Sequence, residues 1–350
     1  MLDPETIRSL VEQEGLVYLG FLNLCEEARY AEFQQWLADK KHGEMSYLEN
    51  HAELRRNPQL IVPGGKSAVV FALPYKQGDR LHSHTQQPRI AQYARLQDYH
   101  KVLKIKGQRV LASLLKLAPH GHSGRVLVDS APLLERALAE RTLSGFLGKN
   151  TMFIHPEWGS YLLLAEIFLT WDLETLSSVA THPESKSCGT CRRCQVFCPT
   201  GALTPYSLDA TKCLAYYTIE HRGPIPVKYW AHLKTYVFGC DICQLVCPFN
   251  RGVPLAKNLA VKLAEFPPLS EVALMDQTYY ERSFGGTPMT RAKRSGLRRN
   301  ALIAMIVTED PNLPEVLAQI SQEGDTLLTQ TLEQIAEYER LQLCEELAYV

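Results

Sequence analysis

The stretch CGTCRRCQVFCPTGAL, Cys188 to Leu203, places four cysteines within eleven positions and follows the last of them with Pro199. Its spacing, C-x2-C-x2-C-x3-C-P, is that of bacterial ferredoxins, where three close thiolates hold one [4Fe-4S] cluster and the fourth reaches across to a second. Working outward, eight of the ten cysteines lie between positions 188 and 247. Cys213 is solitary, and Cys240, Cys243 and Cys247-Pro248 repeat the C-x2-C-x3-C-P ending. Cys213 thus stands in for the first cysteine of the second run, displaced upstream by an insertion. Exchange of the fourth ligands assigns one cluster to Cys188, Cys191, Cys194 and Cys247, and the other to Cys198, Cys213, Cys240 and Cys243. A pair of four-thiolate zinc sites would also use C-x2-C pairs. Zinc, however, explains neither the two Cys-Pro endings nor three cysteines in one short loop. Cys25 and Cys344 stand apart and read as small buried apolar side chains.

The chain has 350 residues, 45% of them hydrophobic, which is enough for two or three domains. A formal net charge of -1 excludes global attraction to a polyanion and leaves room only for a local basic patch. The start, MLDPETIRSLVEQEG, reads as an acidic helix rather than a signal peptide, and no apolar run approaches the roughly 20 residues of a membrane span. The expectation is a cytoplasmic protein with no membrane partner, whose clustered cysteines serve metal or redox chemistry rather than disulfides. Before the cysteines, strand and helix signals alternate: an apolar run at Ser67–Tyr75, a helix over Tyr99–Ala118, a strand at Arg125–Val128, a helix from Leu133 and a strand over Tyr161–Thr170. No G-x-G-x-x-G or G-x-x-x-x-G-K-[ST] occurs, so neither a nicotinamide nor a nucleotide-hydrolysis reading has support. Residues 182–187 read as a linker and His120-Gly121-His122 as a solvated turn. Two clusters in one chain form an electron wire, and the large flanking segments supply its terminus.

Six further segments, taken with the cysteines, resemble the epoxyqueuosine reductase family. They are MSYLENHAELRRNPQLIVPG (45–64), ARLQDYHKVL (94–103), VDSAPLLERALAE (128–140), GKN with PEWGSYLLLAEI (148–167), FGCDICQLVCPFN (238–250) and TRAKRSGLRRNALIAM (290–305). The resemblance implies a multidomain α+β and α/β protein. Residues 1–180 would form a cobalamin-binding domain related to those of reductive dehalogenases, 181–258 a two-[4Fe-4S] ferredoxin-like domain, and 259–350 a HEAT-like helical region that binds tRNA. It implies reduction of epoxyqueuosine to queuosine at the wobble position, an external low-potential electron donor, a monomeric chain, and cobalamin bound base-off with no protein histidine on cobalt. Arg56, Tyr99, Asp129, Ser160, Tyr161, Ser207 and Asp209 are the candidate cobalamin contacts. Asp98-Tyr99-His100 looks like the start of a D-x-H-x-x-G cobalt-ligating motif, but position 103 is leucine, and capping by Asp98 with packing by Tyr99 explains the triplet as well. Two departures from the family pattern, Leu96 and the segment Thr142–Leu147, fall near the expected cleft.

Removing an epoxide oxygen as water takes two electrons and two protons, so a general acid is needed, and a carboxyl serves near neutral pH only if burial or a negative neighbour raises its pKa. Asp129, just past the strand, is the candidate, and the family's proton donor falls on it. The competing reading is a helix-capping role, although Pro132 at the first helical position would make Ala131 the cap. RAKRSGLRR, 291–299, has five basic residues in nine: Arg291, Lys293, Arg294, Arg298 and Arg299. They are either phosphate contacts for tRNA or an ordinary solvated helix face. The apolar spacing that follows, broken near Asp310–Pro314, predicts paired antiparallel helices. Two rival functions are a reductive dehalogenase and a non-catalytic electron carrier.

Overall fold

The computed structural model describes residues 3–78, 89–173, 187–234, 236–257 and 259–348, with side chains described up to residue 342. The linker expected at 182–187 therefore falls outside the described residues except for Ser187, and the Cys344 side chain falls outside them as well.

Four strands form the N-terminal sheet: β1 (Val17–Asn23), β2 (Ser67–Pro74), β3 (Gly124–Leu127) and β4 (Leu162–Leu169). Their spatial order is β1-β2-β4-β3, and every neighbouring pair is antiparallel. All eight residues of β2 are buried, as its unbroken apolar run requires of a central strand covered on both faces. Helix α1 (Tyr99–Leu117) is capped by Asp98, whose carboxylate accepts the His100 N–H. Leu103, Gly107, Val110, Leu111 and Leu114 recur at helical spacing on its buried face. Each fully buried leucine or valine contributes roughly 1.5–3 kcal/mol. Gly107 is where α1 approaches β3, since a Cβ there would lie 2.7 Å from a Val126 methyl.

After β3 the chain turns at Asp129, which has φ of 49°, a left-handed conformation that aspartate tolerates better than most residues. Short backbone bonds from Ser130 to Val128 and from Leu133 to Ala131 use up the following residues. Helix α2 accordingly runs Glu135–Arg141, two residues later than expected, and neither Ala131 nor Asp129 caps it. Leu143, in one of the segments that depart from the family pattern, also has positive φ, 63°. Cys25 is exposed rather than buried, 3.0 Å from an Arg141 Nη2.

A second core lies beyond the sheet. It gathers Ile90, Trp230, Tyr236, Phe238, Phe284, Leu302 and Leu328, and so runs without interruption through the ferredoxin region and the C-terminal helices. Parallel pairing of Tyr236–Phe238 with Arg89–Ile90 sews the N-terminal segment into the same core. At its centre is α3 (Lys293–Thr308), followed by helices Leu313–Glu323, Thr326–Glu333 and Ile335–Ala348.

The sequence of α3 reads as a basic face, but the helix is wrapped on several sides. Arg298 and Arg299 are 2% and 0% exposed. Arg299 donates to the carbonyls of His221, Gly223 and Tyr217, while Arg298 donates to the Ala273 carbonyl and pairs with Glu323. Asn300 continues the network to the Thr218 and Val237 carbonyls. These two arginines therefore satisfy carbonyls of helix ends and loops that would otherwise be buried without donors, and their burial leaves neither on an exposed basic face.

Candidate cluster and proton-transfer site

Cys188, Cys191, Cys194 and Cys247 line one small cavity with Lys149, Asn150, Ile154, Arg193, Pro248 and Phe249. The cysteines of the two runs meet because short helical turns, Arg193–Val196 and Ile242–Leu245, pack against each other. Enclosure raises the Cys247 thiol, and so do Cys188, Cys194 and Cys191 around it. Enclosure also raises Cys240, to about 12, with Cys213 and Cys198 among its neighbours. Around Cys243, in turn, lie Cys240 and Cys213, with Cys194 of the first group also within electrostatic reach. Among the described residues no three Cys, His, Asp or Glu side chains converge as they would round a single ion. The donor set, four thiols spread around a volume, fits a cubane. Lys149 clamps the first loop: its N–H donates to Cys188 Sγ at 3.3 Å, and its Nζ to the Gly189 and Cys191 carbonyls at 2.6 and 3.1 Å.

Lys149 belongs to a hairpin, Phe146–Leu147 paired with Phe153–Ile154, that has two working faces. Ile154 faces the thiol cavity, and Phe146 packs edge-on against Phe249 with centroids 5.1 Å apart. Met152 and Phe153 line a second cavity of about 180 Å³ with Tyr99, Asp129, Glu135, Arg136 and Leu162 to Leu164. One hairpin thus separates the two cavities.

At the second cavity, His100 lies between two carboxylates. Its Nε2 is 2.7 Å from Asp129 Oδ2 and its Nδ1 2.8 Å from Asp98 Oδ1. Ionised carboxylates only accept hydrogen bonds, so both ring nitrogens donate and the ring is an imidazolium. The pKa directions agree: hydrogen bonding to Asp129 raises His100 despite partial burial. For Asp129 the surrounding protein pushes its carboxyl up, but the His100 bond and charge, the Tyr99 hydroxyl and Arg291 together bring it below the ordinary value. The direction is opposite to the rise expected for Asp129 from the sequence, because His100 and Tyr99 favour its ionised form. The His100 imidazole has both nitrogens engaged by carboxylates, which leaves neither for a metal. None of the described residues that line the cavity is a histidine, so a corrinoid held there would take no imidazole from them. Tyr99 donates to Asp129 Oδ2 at 3.1 Å, and its ring stacks on His100 with centroids 4.1 Å apart.

Two more carboxyls lie behind this pair. Glu135 Oε1 accepts the Asp129 N–H at 2.7 Å, and enclosure, then the Asp129 charge, raises its pKa to about 8. Glu166, on β4 between Val70 and Leu127, is fully buried with neither carboxyl oxygen hydrogen-bonded, and burial raises it strongly. A proton bound more tightly in the fold than in the unfolded chain stabilises the fold. For Glu135 that contribution is complete below its ordinary value of 4.5 and is lost as pH rises through about 8. Glu135→Gln is expected to make the decline in urea-unfolding midpoint across that range shallower, and an unaltered decline would assign it to other groups.

The other expected cofactor contacts lie elsewhere. Arg56 is exposed and paired with Glu26 at 2.6 Å. Ser160 and Tyr161 are 1% and 2% exposed. They are buried because Ser160 bonds Gln244 and Asn250, and Tyr161 packs edge-on against Tyr75, in the seam between the sheet and the cysteine region. Gly159 permits this seam: a Cβ there would fall 2.1 Å from the Asn250 amide oxygen. Ser207 lies in a two-residue strand, and Asp209 caps the turn at Thr211 and pairs with Lys212. None of these five lines the cavity. Of the remaining basic residues, Lys293 is exposed, Arg294 donates to the Met275 carbonyl, and Arg291 is held by Glu220. No described helix is long and apolar enough to cross a membrane.

Comparison with known proteins matches residues 187–250 to a 4Fe-4S double cluster binding domain and residues 55–130 to a family model described as "Epoxyqueuosine reductase QueG, DUF1730". An epoxyqueuosine reductase of Gloeobacter violaceus is 39% identical over 79% of this chain and 86% of its own. The structure of epoxyqueuosine reductase from Streptococcus thermophilus superposes with a TM-score of 0.78 at 27% identity, covering 93% of this chain and 87% of that one. An epoxyqueuosine reductase crystallised with a tRNA-Tyr epoxyqueuosine-modified stem loop gives 0.74 at 26% identity, covering 92% and 85%.

Proposed function

The chain belongs to the epoxyqueuosine reductase family, and from the site it carries we propose that it reduces epoxyqueuosine to queuosine at the wobble position of tRNA. The observation that carries this reading is the shared hairpin: one face lines the thiol cavity, and the other lines the cleft bearing Asp129 and the protonated His100. Electrons from the clusters and protons from the acid pair thereby converge on one cleft.

A cobalamin bound there would supply a low-potential metal for reductive carbon–oxygen cleavage. Tyr99 and Asp129 remain as its candidate contacts, and Met152, Phe153 and Leu162 to Leu164 give an apolar wall for a macrocycle. Two electrons and two protons convert the epoxide to an alkene and water. Asp129 and His100 share one proton along their 2.7 Å contact. When substrate displaces water from the cleft, the lower dielectric favours the neutral pair, which moves that proton onto Asp129 Oδ2 and makes it the donor to the departing oxygen. Glu135, protonated up to about pH 8, is the reserve for the second proton. Lys293 and Arg294 are the remaining candidates for phosphate contact. The electron donor is external and of low potential, the protein acts as a monomer in the cytoplasm, and the wobble nucleotide must be splayed out of the anticodon loop to enter the cleft.

The test is incubation of anaerobically reconstituted protein with epoxyqueuosine-containing tRNA and a low-potential reductant, followed by nucleoside mass analysis. Loss of one oxygen from the modified nucleoside is expected only when corrinoid is present. An unchanged nucleoside with clusters and corrinoid both loaded would overturn the reading.

A further inference from the structure

Tyr47 is a large aromatic side chain left 44% exposed. The Arg291 guanidinium lies over its ring, 5.1 Å from the centroid. Glu220 holds that guanidinium by a fork, with Nε 2.9 and 3.1 Å from the two carboxylate oxygens and Nη2 2.9 Å from one of them. Arg222 fixes the backbone beneath by donating to the Arg291 carbonyl at 2.9 Å. The charge of Arg291 is therefore already matched by a carboxylate, which leaves it poorly suited to phosphate. What remains is an immobilised guanidinium set over an aromatic ring, whose hydroxyl also bonds it, with half of the arginine side chain open to solvent.

The plane stands beside the cleft. The helical turn Pro288–Ala292, which carries Arg291, packs on the turn Gln92–Arg95. From that second turn the Tyr93 ring lies 6.4 Å from Tyr99, which bonds Asp129. The Asp98 N–H, at the start of α1, donates to the Gly286 carbonyl just before the first turn.

Resting on the function proposed above, we propose that Arg291 and Tyr47 form a stacking site for the nucleobase adjacent to epoxyqueuosine in the anticodon loop. A guanidinium plane on an aromatic ring accepts any base face without reading its edge. Such a site grips the neighbouring nucleotide while the modified base enters the cleft, and it tolerates a change of base there.

The test is a thermodynamic cycle on the full, reconstituted chain. Affinities of labelled anticodon stem-loops, intact or abasic at either nucleotide flanking the wobble position, are measured by fluorescence anisotropy with wild type, Tyr47→Ala, Tyr47→Phe and Arg291→Ala. The abasic change at one flank should weaken binding to wild type about tenfold. It should have little further effect on Tyr47→Ala or Arg291→Ala, and Tyr47→Phe should behave as wild type. An equal abasic penalty in wild type and both alanine variants, at both flanks, would overturn the stacking site. Conversion of epoxyqueuosine by wild type, scored separately, distinguishes failure of this subsite from failure of the catalytic reading.

Discussion

Asp129→Asn is expected to load iron and corrinoid as wild type does and to lose about 10²–10⁴-fold in single-turnover rate of the proposed reaction. The amide keeps the shape of the carboxyl, so cofactor loading is preserved, and the loss is specific to proton transfer. Asparagine cannot receive the proton that His100 holds against it at 2.7 Å. His100 in turn loses the partner that contributes most to its raised pKa. The variant's remaining rate should therefore depend on pH differently from wild type, with the decline tied to His100 moving to lower pH. His100→Gln tests the other half of the pair. It leaves a carboxyl at the cleft without its resident proton, and its rate should recover toward low pH as Asp129 becomes protonated from solvent. Single-turnover rates of Asp129→Asn equal to wild type would remove Asp129 from the reaction.

The second large effect concerns the crossed ligands. Cys247→Ala should remove the same cluster as Cys191→Ala, because both side chains line one cavity. Iron should fall from about eight to about four per chain in each, turnover should fall to background, and the two variants should share one residual electron-paramagnetic-resonance spectrum. Cys198→Ala should instead match Cys240→Ala, since Cys198 and Cys213 are the thiol neighbours of Cys240. Pairing by sequence proximity would group Cys198 with Cys191 and Cys247 with Cys240, so matched spectra in that arrangement would reject the crossing. The cluster lost with Cys247 is the one separated from the cleft by a single hairpin, so its loss breaks the last step of electron delivery. Loss of the other removes the entry step.

The cysteines were legible because cluster ligation is largely local: spacing in a loop sets which sulfurs can turn inward, and proline marks where the chain must leave. Strands β2 and β4 were legible for a similar reason, as short apolar runs, interrupted in β4 only by Glu166, have few places to go but the middle of a sheet. The role of His100 was not. Asp98 caps α1 as its position suggests, but the histidine acquires its meaning from Asp129, 29 residues later, which only the packing of α1 on β3 brings within reach. The same limit hid the fate of Arg298 and Arg299. Charge in a sequence predicts exposure on average, yet these side chains meet carbonyls of residues 217, 221, 223 and 273 that no local pattern announces. The burial of Ser160 and Tyr161 was equally hidden, because it depends on a seam in which Gln244 and Asn250 bond Ser160 and Tyr75 packs edge-on against Tyr161.

Arg299 and Asn300 tie α3 to the backbone between Cys213 and Cys240, close to both cysteines. The helical tail is consequently no detachable handle. The helices and the cysteine-bearing segment share one core, so a displacement of α3 would be passed directly to the backbone that carries the thiols. A gene cut after residue 258 would yield a ferredoxin half with its apolar interior laid bare, and grafting the tail onto another carrier would strip the arginines of the carbonyls that tame them.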